Sequence, residues 1–169
     1  MPIPSVDPVT DSSGLVKGIV GKLAMSPSGQ WYLRHISPRV DPTLMRRMRG
    51  RVSSLGTWPR CVLLTHTGAK SGTPRVSPLA YQRIGDSYAI FASRAGSPAN
   101  PDWLYNVVAH PDTTIEIGTE TVSVMARVAE PAERDVLWDR QKRRVPQFAE
   151  YEKKAAPRKI PVIVLDPVR

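Results

Sequence analysis

Six short strand-like runs constrain the fold of this chain more than any other feature of its sequence. Each run is apolar or alternates apolar with polar residues, as strands of a half-buried sheet do. Gly85 and Asp86 separate the second and third runs, and Gly118 separates the fourth and fifth, as in hairpins. Strands and helices do not alternate, which argues against a doubly wound fold. The sequence therefore predicts a mainly β fold with peripheral helices, a small barrel of about six antiparallel strands, over residues 61–67, 74–84, 87–93, 113–117, 121–128 and 160–166.

Five helices are predicted outside these strands. The first covers residues 12–25, where apolar residues recur at every fourth position. In the second, Asp41 is the expected N-cap, Pro42 takes the first helical position and Gly50 follows the last turn. The remaining three are predicted over residues 101–110, 131–144 and 146–154.

The composition bounds the class of protein. The chain has 169 residues, about one domain, and its 41% hydrophobic and 23% charged residues are ordinary globular values. One cysteine, Cys61, excludes an intramolecular disulfide, and the three histidines lack ligand spacing, so we expect no metal site. The first residues lack the pattern of a signal peptide and no apolar stretch is long enough to span a membrane, so we expect a cytoplasmic protein.

The net charge of +9 is unevenly distributed along the chain. Residues 1–60 contain nine basic and three acidic side chains, residues 61–130 contain five and six, and residues 131–169 contain ten and six. Basic flanks attract anions, and charge alone leaves open whether the partner is nucleic acid, an anionic membrane or a polyanionic ligand.

A glycine-bounded basic loop joins the first two predicted strands. Gly68 and Gly72 permit tight curvature, so that backbone amides can converge on an anion while Lys70 and Arg75 add positive charge. Ala69 stands where a Walker loop requires glycine, so the loop is not of that type. The alternative interpretation is an exposed hairpin turn with incidental basic residues.

Two further motifs indicate a binding site. Arg94 follows the third predicted strand, in the segment Ser-Arg-Ala-Gly at 93–96. Trp103 and Asn106 begin the helix after Pro101 and lie on one helical face, where an indole and an amide can contact a ring. The alternatives are a solvated arginine and a tryptophan that anchors the core.

Taken together, four motifs resemble the deazaflavin-dependent nitroreductase family of actinobacteria, the flavin/deazaflavin oxidoreductase group A. They are LLTHTGAKSGTPRVSPL (63–79), ASRAG (92–96), NPDWLYN (100–106) and HPD (110–112). The resemblance extends from about Trp58 to Leu165. It implies a variable N-terminal extension with one or two short helices at 1–57, and a cofactor-binding domain at 58–169. It also implies a split β-barrel that binds coenzyme F420, a deazaflavin with a phosphate and an oligoglutamate tail.

The resemblance also implies which residues form the site. Ser93 and Tyr151 are the expected catalytic residues, because a hydroxyl can orient the acceptor or supply a proton. The residues expected to bind the cofactor are Ala69, Lys70, Ser71, Arg75, Val76, Ser77, Pro78, Leu79, Ala80, Phe91, Ala92, Ser93, Arg94, Asp102, Trp103, Asn106 and Phe148.

The resemblance further implies hydride transfer to a hydrophobic acceptor such as a quinone or a nitro compound. A carbon replaces the central nitrogen of the flavin, so the reduced deazaflavin favours two-electron transfer and no protein nucleophile is expected. Relatives that activate nitroimidazoles carry three tyrosines along the last helix, where this chain has Val145, Phe148 and Tyr151. A quinone is therefore the more plausible acceptor.

Other interpretations remain open at the level of sequence. The same barrel could bind FMN, or a basic barrel could bind nucleic acid, although the latter needs aromatic residues among basic ones on one sheet face. A stripe formed by Leu15, Ile19 and Leu23, together with the arginines of residues 46–51, predicts peripheral contact with the anionic inner face of the cell membrane. The alternative is that this helix packs on the barrel.

Overall fold

Six antiparallel strands close into a barrel within residues 26–48 and 61–168, the part of the chain that a computed structural model describes. Neighbouring strands follow the order β1-β2-β3-β6-β5-β4, and β4 pairs with β1 to complete the ring. The mainly β prediction is confirmed. The strands are β1 Cys61–Thr67, β2 Pro74–Ile84, β3 Ser87–Phe91, β4 Asp112–Ile117, β5 Glu120–Val128 and β6 Val162–Pro167.

Alternation of side chains gives the barrel an apolar interior. Leu64 of β1 lies opposite Ile115 of β4, and Ile90 of β3 lies opposite Ile163 of β6, all four fully buried. The β2–β3 and β4–β5 hairpins turn at glycines with positive φ, as the sequence predicts, at Gly85 (60°) and Gly118 (64°).

Helices pack on the barrel at several places, and one of them, formed by residues 37–47, contacts β2. Trp103, Leu104 and Val107 of the third helix join the interior core, whereas the last two helices cover the outer face of β3 and β6. Within the described residues, no helix is both long and apolar enough to cross a membrane. The helices are α1 Pro27–His35, α2 Ser37–Arg47, α3 Asp102–Ala109, α4 Pro131–Arg144 and α5 Gln147–Ala155.

The predicted start of α2 is wrong. The helix begins at Ser37, so that Asp41 and Pro42 lie inside it and are buried. The Asp41 carboxylate accepts a hydrogen bond of 2.6 Å from the Ser37 hydroxyl, one helical turn earlier. The carboxylate therefore acts inside the helix instead of capping its first turn. Gly50, the predicted helix at 12–25 and the predicted boundary at 57/58 lie outside the described residues.

Helix α1 is absent from the sequence prediction. Its start carries a recognisable signal, because the Ser26 hydroxyl accepts the N–H of Gly29 at 3.0 Å and Pro27 takes the first helical position.

Candidate functional site

The barrel is split along one edge of β2. Residues 74–80 of β2 pair with β1, but only residues 81–84 pair with β3. The edge of β2 that faces β3 therefore has no strand partner from residue 74 to residue 80, which leaves its backbone groups outside the ladder on that side. Val76 to Tyr81 are half-buried, whereas the core of β3 and β6 is buried. We call the opening beside this edge the seam.

A left-handed turn lies on the other side of the seam. Strand β3 ends at Phe91, two residues before its predicted end, and the Ala92 N–H donates to Pro161 O at 3.0 Å. Arg94, Ala95 and Gly96 then follow with φ of 46°, 52° and 79°. A left-handed conformation costs a residue other than glycine about 1–2 kcal/mol, so the surrounding structure must hold this turn in place.

Arg158 holds the segment that contains this turn, residues 92–100. Its Nη1 donates to Ala92 O at 3.2 Å and Asn100 Oδ1 at 2.7 Å, and its Nη2 donates to Ser93 O at 3.0 Å. Nη2 and Nε both donate to Ser97 O, at 2.7 and 3.1 Å. Sequence reasoning missed Arg158, because its partners lie about sixty residues away and no local pattern marks it.

The turn also rests directly on α5. A Cβ added to Gly96 would lie 2.8 Å from the Cβ of Lys154 and 3.0 Å from the carbonyl oxygen of Tyr151. Glycine is therefore required here both by its φ and by the close approach of the helix.

Residues 68–73 form a tight loop that connects β1 to β2. The Gly68 N–H donates to Thr73 O at 2.9 Å, and the Gly72 N–H donates to Gly68 O at 2.8 Å. Gly72 has a φ of 64°, and a Cβ on Gly68 would lie 2.5 Å from Ser71 Oγ. Gly72 is thus required by its φ, whereas a side chain at Gly68 would require the Ser71 hydroxyl to rotate away.

Several donors of this loop have no partner in the protein. Within residues 26–48 and 61–168, the backbone N–H groups of Lys70 and Ser71 have no acceptor, and the exposed side chains of Lys70 and Arg75 form no ion pair. Unpaired amides and cations around a tight turn suit a phosphate or a carboxylate. This donor set fits a cofactor with an anionic tail.

A chain of buried hydrogen bonds supports the loop from below. The Ala69 N–H donates to Asn106 Oδ1 at 2.8 Å, Asn106 Nδ2 lies 2.9 Å from His66 Nδ1, and His66 Nε2 lies 3.0 Å from Ser77 Oγ. The pKa of His66 is lowered to about 4, mainly by burial and to a smaller extent by the positive charge of Arg75. Asn106, which the sequence predicts to contact the cofactor, thus uses both polar atoms of its side-chain amide within the protein. Sequence reasoning missed this role of His66, because it considered the histidine only as a metal ligand.

The other predicted site residues divide between the seam and the core. Ser93 and Arg94 are half-buried beside the seam, and Arg94 Nη1 donates to Asn100 O at 2.7 Å. Leu79 packs on the interior core and Ala80 on the outer one, on opposite faces of β2. Asp102 is exposed at the start of α3, whereas Trp103 is buried in the interior core.

Phe148 and Tyr151 lie in the outer core instead of in solvent. The Phe148 ring centroid is 5.6 Å from that of Phe91 and 5.2 Å from that of Tyr151. Burial raises the pKa of Tyr151 to about 12, although its hydrogen bond with Gln147 acts in the opposite direction. The structure thus brings residues 69–71, 75–80 and 91–94 around the seam and places Phe148 and Tyr151 behind the left-handed turn; their roles remain predictions.

Residues 37–167 match the protein-family model described as F420H(2)-dependent quinone reductase. The chain belongs to this family. A relative, F420H(2)-dependent quinone reductase Rv1261c of Mycobacterium tuberculosis, is 34% identical over 143 residues, which cover 80% of this chain and 95% of that protein. The F420-H2 dependent reductase FDR-A is a solved structure with 37% identity and a TM-score of 0.58, covering 63% of this chain and 93% of its own.

A second solved structure, described as a domain-swapped dimer, has 32% identity and a TM-score of 0.59, and covers 74% of this chain and 96% of its own. Family membership confirms the expected split barrel, coenzyme F420 as the cofactor and oxidoreduction as the activity. The match favours F420 over the FMN alternative. It begins at residue 37, inside the predicted N-terminal extension, and the boundary at 57/58 remains a prediction.

Proposed function

We propose that this chain binds reduced F420 at the seam and directs its hydride to a quinone. When bound, F420 supplies a two-electron hydride donor, so the protein has to bind, orient and exclude water. The observation that carries the proposal is the seam itself. Its unpaired strand edge lies between two segments: the loop at residues 68–73, whose donors have no partner within the described residues, and the left-handed turn at residues 94–96.

In this proposal the loop at residues 68–73 binds the anionic tail. Lys70, Arg75 and the N–H groups of Lys70 and Ser71 donate charge-assisted hydrogen bonds to the phosphate and carboxylates. The unpaired backbone of residues 76–80 borders the ring, because a strand edge offers donors and acceptors in a fixed row. Arg94 adds positive charge on the opposite side of the seam.

Ser93 and Tyr151 are proposed to act on the acceptor. The Ser93 hydroxyl has no hydrogen bond within the described residues, so it is available to orient a quinone oxygen. Tyr151 is protonated at neutral pH because its pKa is about 12, so it can donate a hydrogen bond but cannot act as a base. Phe148 is buried between Phe91 and Tyr151, so its proposed part is to hold Tyr151 in place by ring packing.

The test is the oxidation of reduced F420 by a short-chain quinone, followed by deazaflavin absorbance, in the wild type and in Lys70→Ala. One lost charge-assisted hydrogen bond corresponds to roughly ten- to a hundredfold weaker F420 binding. Lys153→Ala is the matched control, because that lysine is 73% exposed on α5 and pairs only with Glu150 within the described chain. Wild-type F420 affinity in Lys70→Ala, or no quinone turnover in the wild type, would contradict the proposal.

We also propose that the protein meets its lipophilic acceptor at the anionic inner face of the cell membrane. Support comes from the exposed side chains of Arg39 and Arg47 on α2, since each basic residue near such a surface contributes about 1 kcal/mol. Arg46 is not included in this surface, because its guanidinium donates to both carboxylate oxygens of Glu116, at 2.8 and 2.6 Å. The apolar stripe predicted at 15–23 lies outside the described residues.

Vesicle sedimentation tests the membrane proposal with the full chain. We expect the protein to pellet with anionic vesicles and to pellet little with zwitterionic ones. Replacing Arg39 and Arg47 with glutamate should abolish pelleting with the anionic vesicles. Glutamate at Arg140 and Arg144, exposed residues on α4, is the control with the same change of charge. Equal and negligible pelleting with both kinds of vesicle would rule the proposal out.

A further inference from the structure

We infer that His66 is a positioning residue that fixes the loop at residues 68–73 through Asn106 and orients the Ser77 hydroxyl so that its hydrogen points to the bound cofactor. The inference rests on the proposed function in one respect only, namely that the partner of Ser77 is F420. The carrying observation is the chain of hydrogen bonds from Ala69 to Ser77.

The direction of this chain follows from its first member. A backbone N–H can only donate, so the atom of Asn106 that faces Ala69 is its oxygen, Oδ1. The Asn106 NH₂ group must then donate to His66 Nδ1, which has to carry a lone pair. Neutral His66 therefore carries its hydrogen on Nε2 and donates it to Ser77 Oγ.

Ser77 consequently has one hydrogen left to donate. Its oxygen accepts from His66, and within residues 26–48 and 61–168 its own hydroxyl hydrogen has no acceptor. Ser77 is half-buried on the part of β2 whose second edge is unpaired, so this hydrogen is presented beside the seam. A carbonyl or ring-nitrogen acceptor of the cofactor is the chemistry that suits it.

The strand register explains why a histidine occupies this position. Val62 and Leu64 point into the barrel, and His66 is the next inward position of β1. Leu64 lies opposite Ser77 and His66 opposite Arg75, so His66 and Ser77 are diagonal neighbours on one face. His66 is 4% exposed, and its two ring nitrogens join β2 to α3 where an apolar side chain could join neither.

A protonated imidazole is incompatible with this arrangement, because Nδ1–H would face the Asn106 NH₂ group. The groups that face His66 are Asn106 from α3, and Ser77 and the Arg75 cation from β2. The lowered pKa of His66, about 4, agrees with a ring held neutral by these neighbours.

The first experiment uses the unmodified protein. Long-range ¹H–¹⁵N NMR of the His66 ring at pH 7 reports its tautomer, and we expect a neutral ring with hydrogen on Nε2. A ring protonated on Nδ1, or on both nitrogens, would overturn the inference whether or not F420 binds.

Two variants then separate the two hydrogen bonds of the His66 ring, one to Asn106 and one to Ser77. In His66→Asn the side-chain oxygen can replace Nδ1 as the acceptor, so the link to Asn106 is kept and the donor to Ser77 is lost. In His66→Gln the amide nitrogen can replace Nε2, so the donor is kept and the link to Asn106 is lost. His110→Asn, an exposed position after α3, is the matched control.

Amide exchange and F420 affinity provide the readouts. We expect exchange of the Ala69 N–H to be at least tenfold faster in His66→Gln and within twofold of wild type in His66→Asn. We expect Ser77→Ala to weaken F420 binding about five- to tenfold, as for one neutral hydrogen bond, and to add little to His66→Asn. Identical exchange in the two His66 variants would overturn the positioning role. Unchanged F420 affinity in Ser77→Ala would overturn its part as a donor, whereas absence of F420 binding to the wild type would overturn the proposed function.

Discussion

Replacing Arg158 with lysine should loosen residues 92–100 while leaving the charge of the protein unchanged. The guanidinium makes five hydrogen bonds to four residues of that segment, and a single ammonium nitrogen cannot reach them all. Hydrogen bonds of charged groups contribute about 1.5–3 kcal/mol each, but these share acceptors and Arg158 is only half-buried, so water replaces part of the loss. We expect the variant to lose about 2–3 kcal/mol of unfolding free energy.

That loss corresponds to a decrease in Tm of about 5–10 °C for a chain of this length. The left-handed conformations of Arg94 and Ala95 depend on the same contacts, so F420 affinity should decrease as well. Thermal denaturation and F420 titration measure the two effects, with Arg140→Lys, an exposed position on α4, as the control. A variant with wild-type Tm and wild-type affinity would show that other contacts hold this segment.

Three further outcomes follow from the geometry. Gly96→Ala should cost about 2–4 kcal/mol by thermal denaturation, because its Cβ would lie 2.8 Å from Lys154; Gly85→Ala, with φ of 60° and open space around it, should cost only about 1 kcal/mol. Stability should decrease by up to about 3 kcal/mol as the pH falls from 6.5 to 4, because the unfolded chain protonates His66 in this range and the folded protein, with a pKa of about 4, does not. Urea denaturation should show a smaller decrease in His66→Asn, and equal pH profiles would refute this assignment. Tyr151→Phe should lower quinone turnover at unchanged F420 affinity, and wild-type turnover would remove its hydroxyl from the reaction.

Local sequence rules were sufficient for most of the barrel. The hairpins at Gly85 and Gly118, and the turn at Gly72 in the loop between β1 and β2, follow from backbone conformations that other residues rarely adopt. These features depend on neighbours in sequence, so one chain suffices to predict them.

The remaining features depend on tertiary contacts that no local pattern reports. The prediction continued β3 to Ser93 because residues 92–93 suit a strand, whereas Arg158, far away in sequence, stabilises a left-handed turn there. Asp41 resembles an N-cap, but the Ser37 hydroxyl donates to its carboxylate inside the helix. His66 lacks ligand spacing, and its role becomes visible only when α3 brings Asn106 to it.

The most direct test of the account is an amide ¹H–¹⁵N titration of the full chain with F420. If the cofactor binds at the seam, the largest shift changes will concentrate at residues 69–80 and 92–97, while β5, on the far side of the barrel order, changes little. Saturable binding with the largest changes in β5 or on α4, and none in those two segments, would contradict the proposed site.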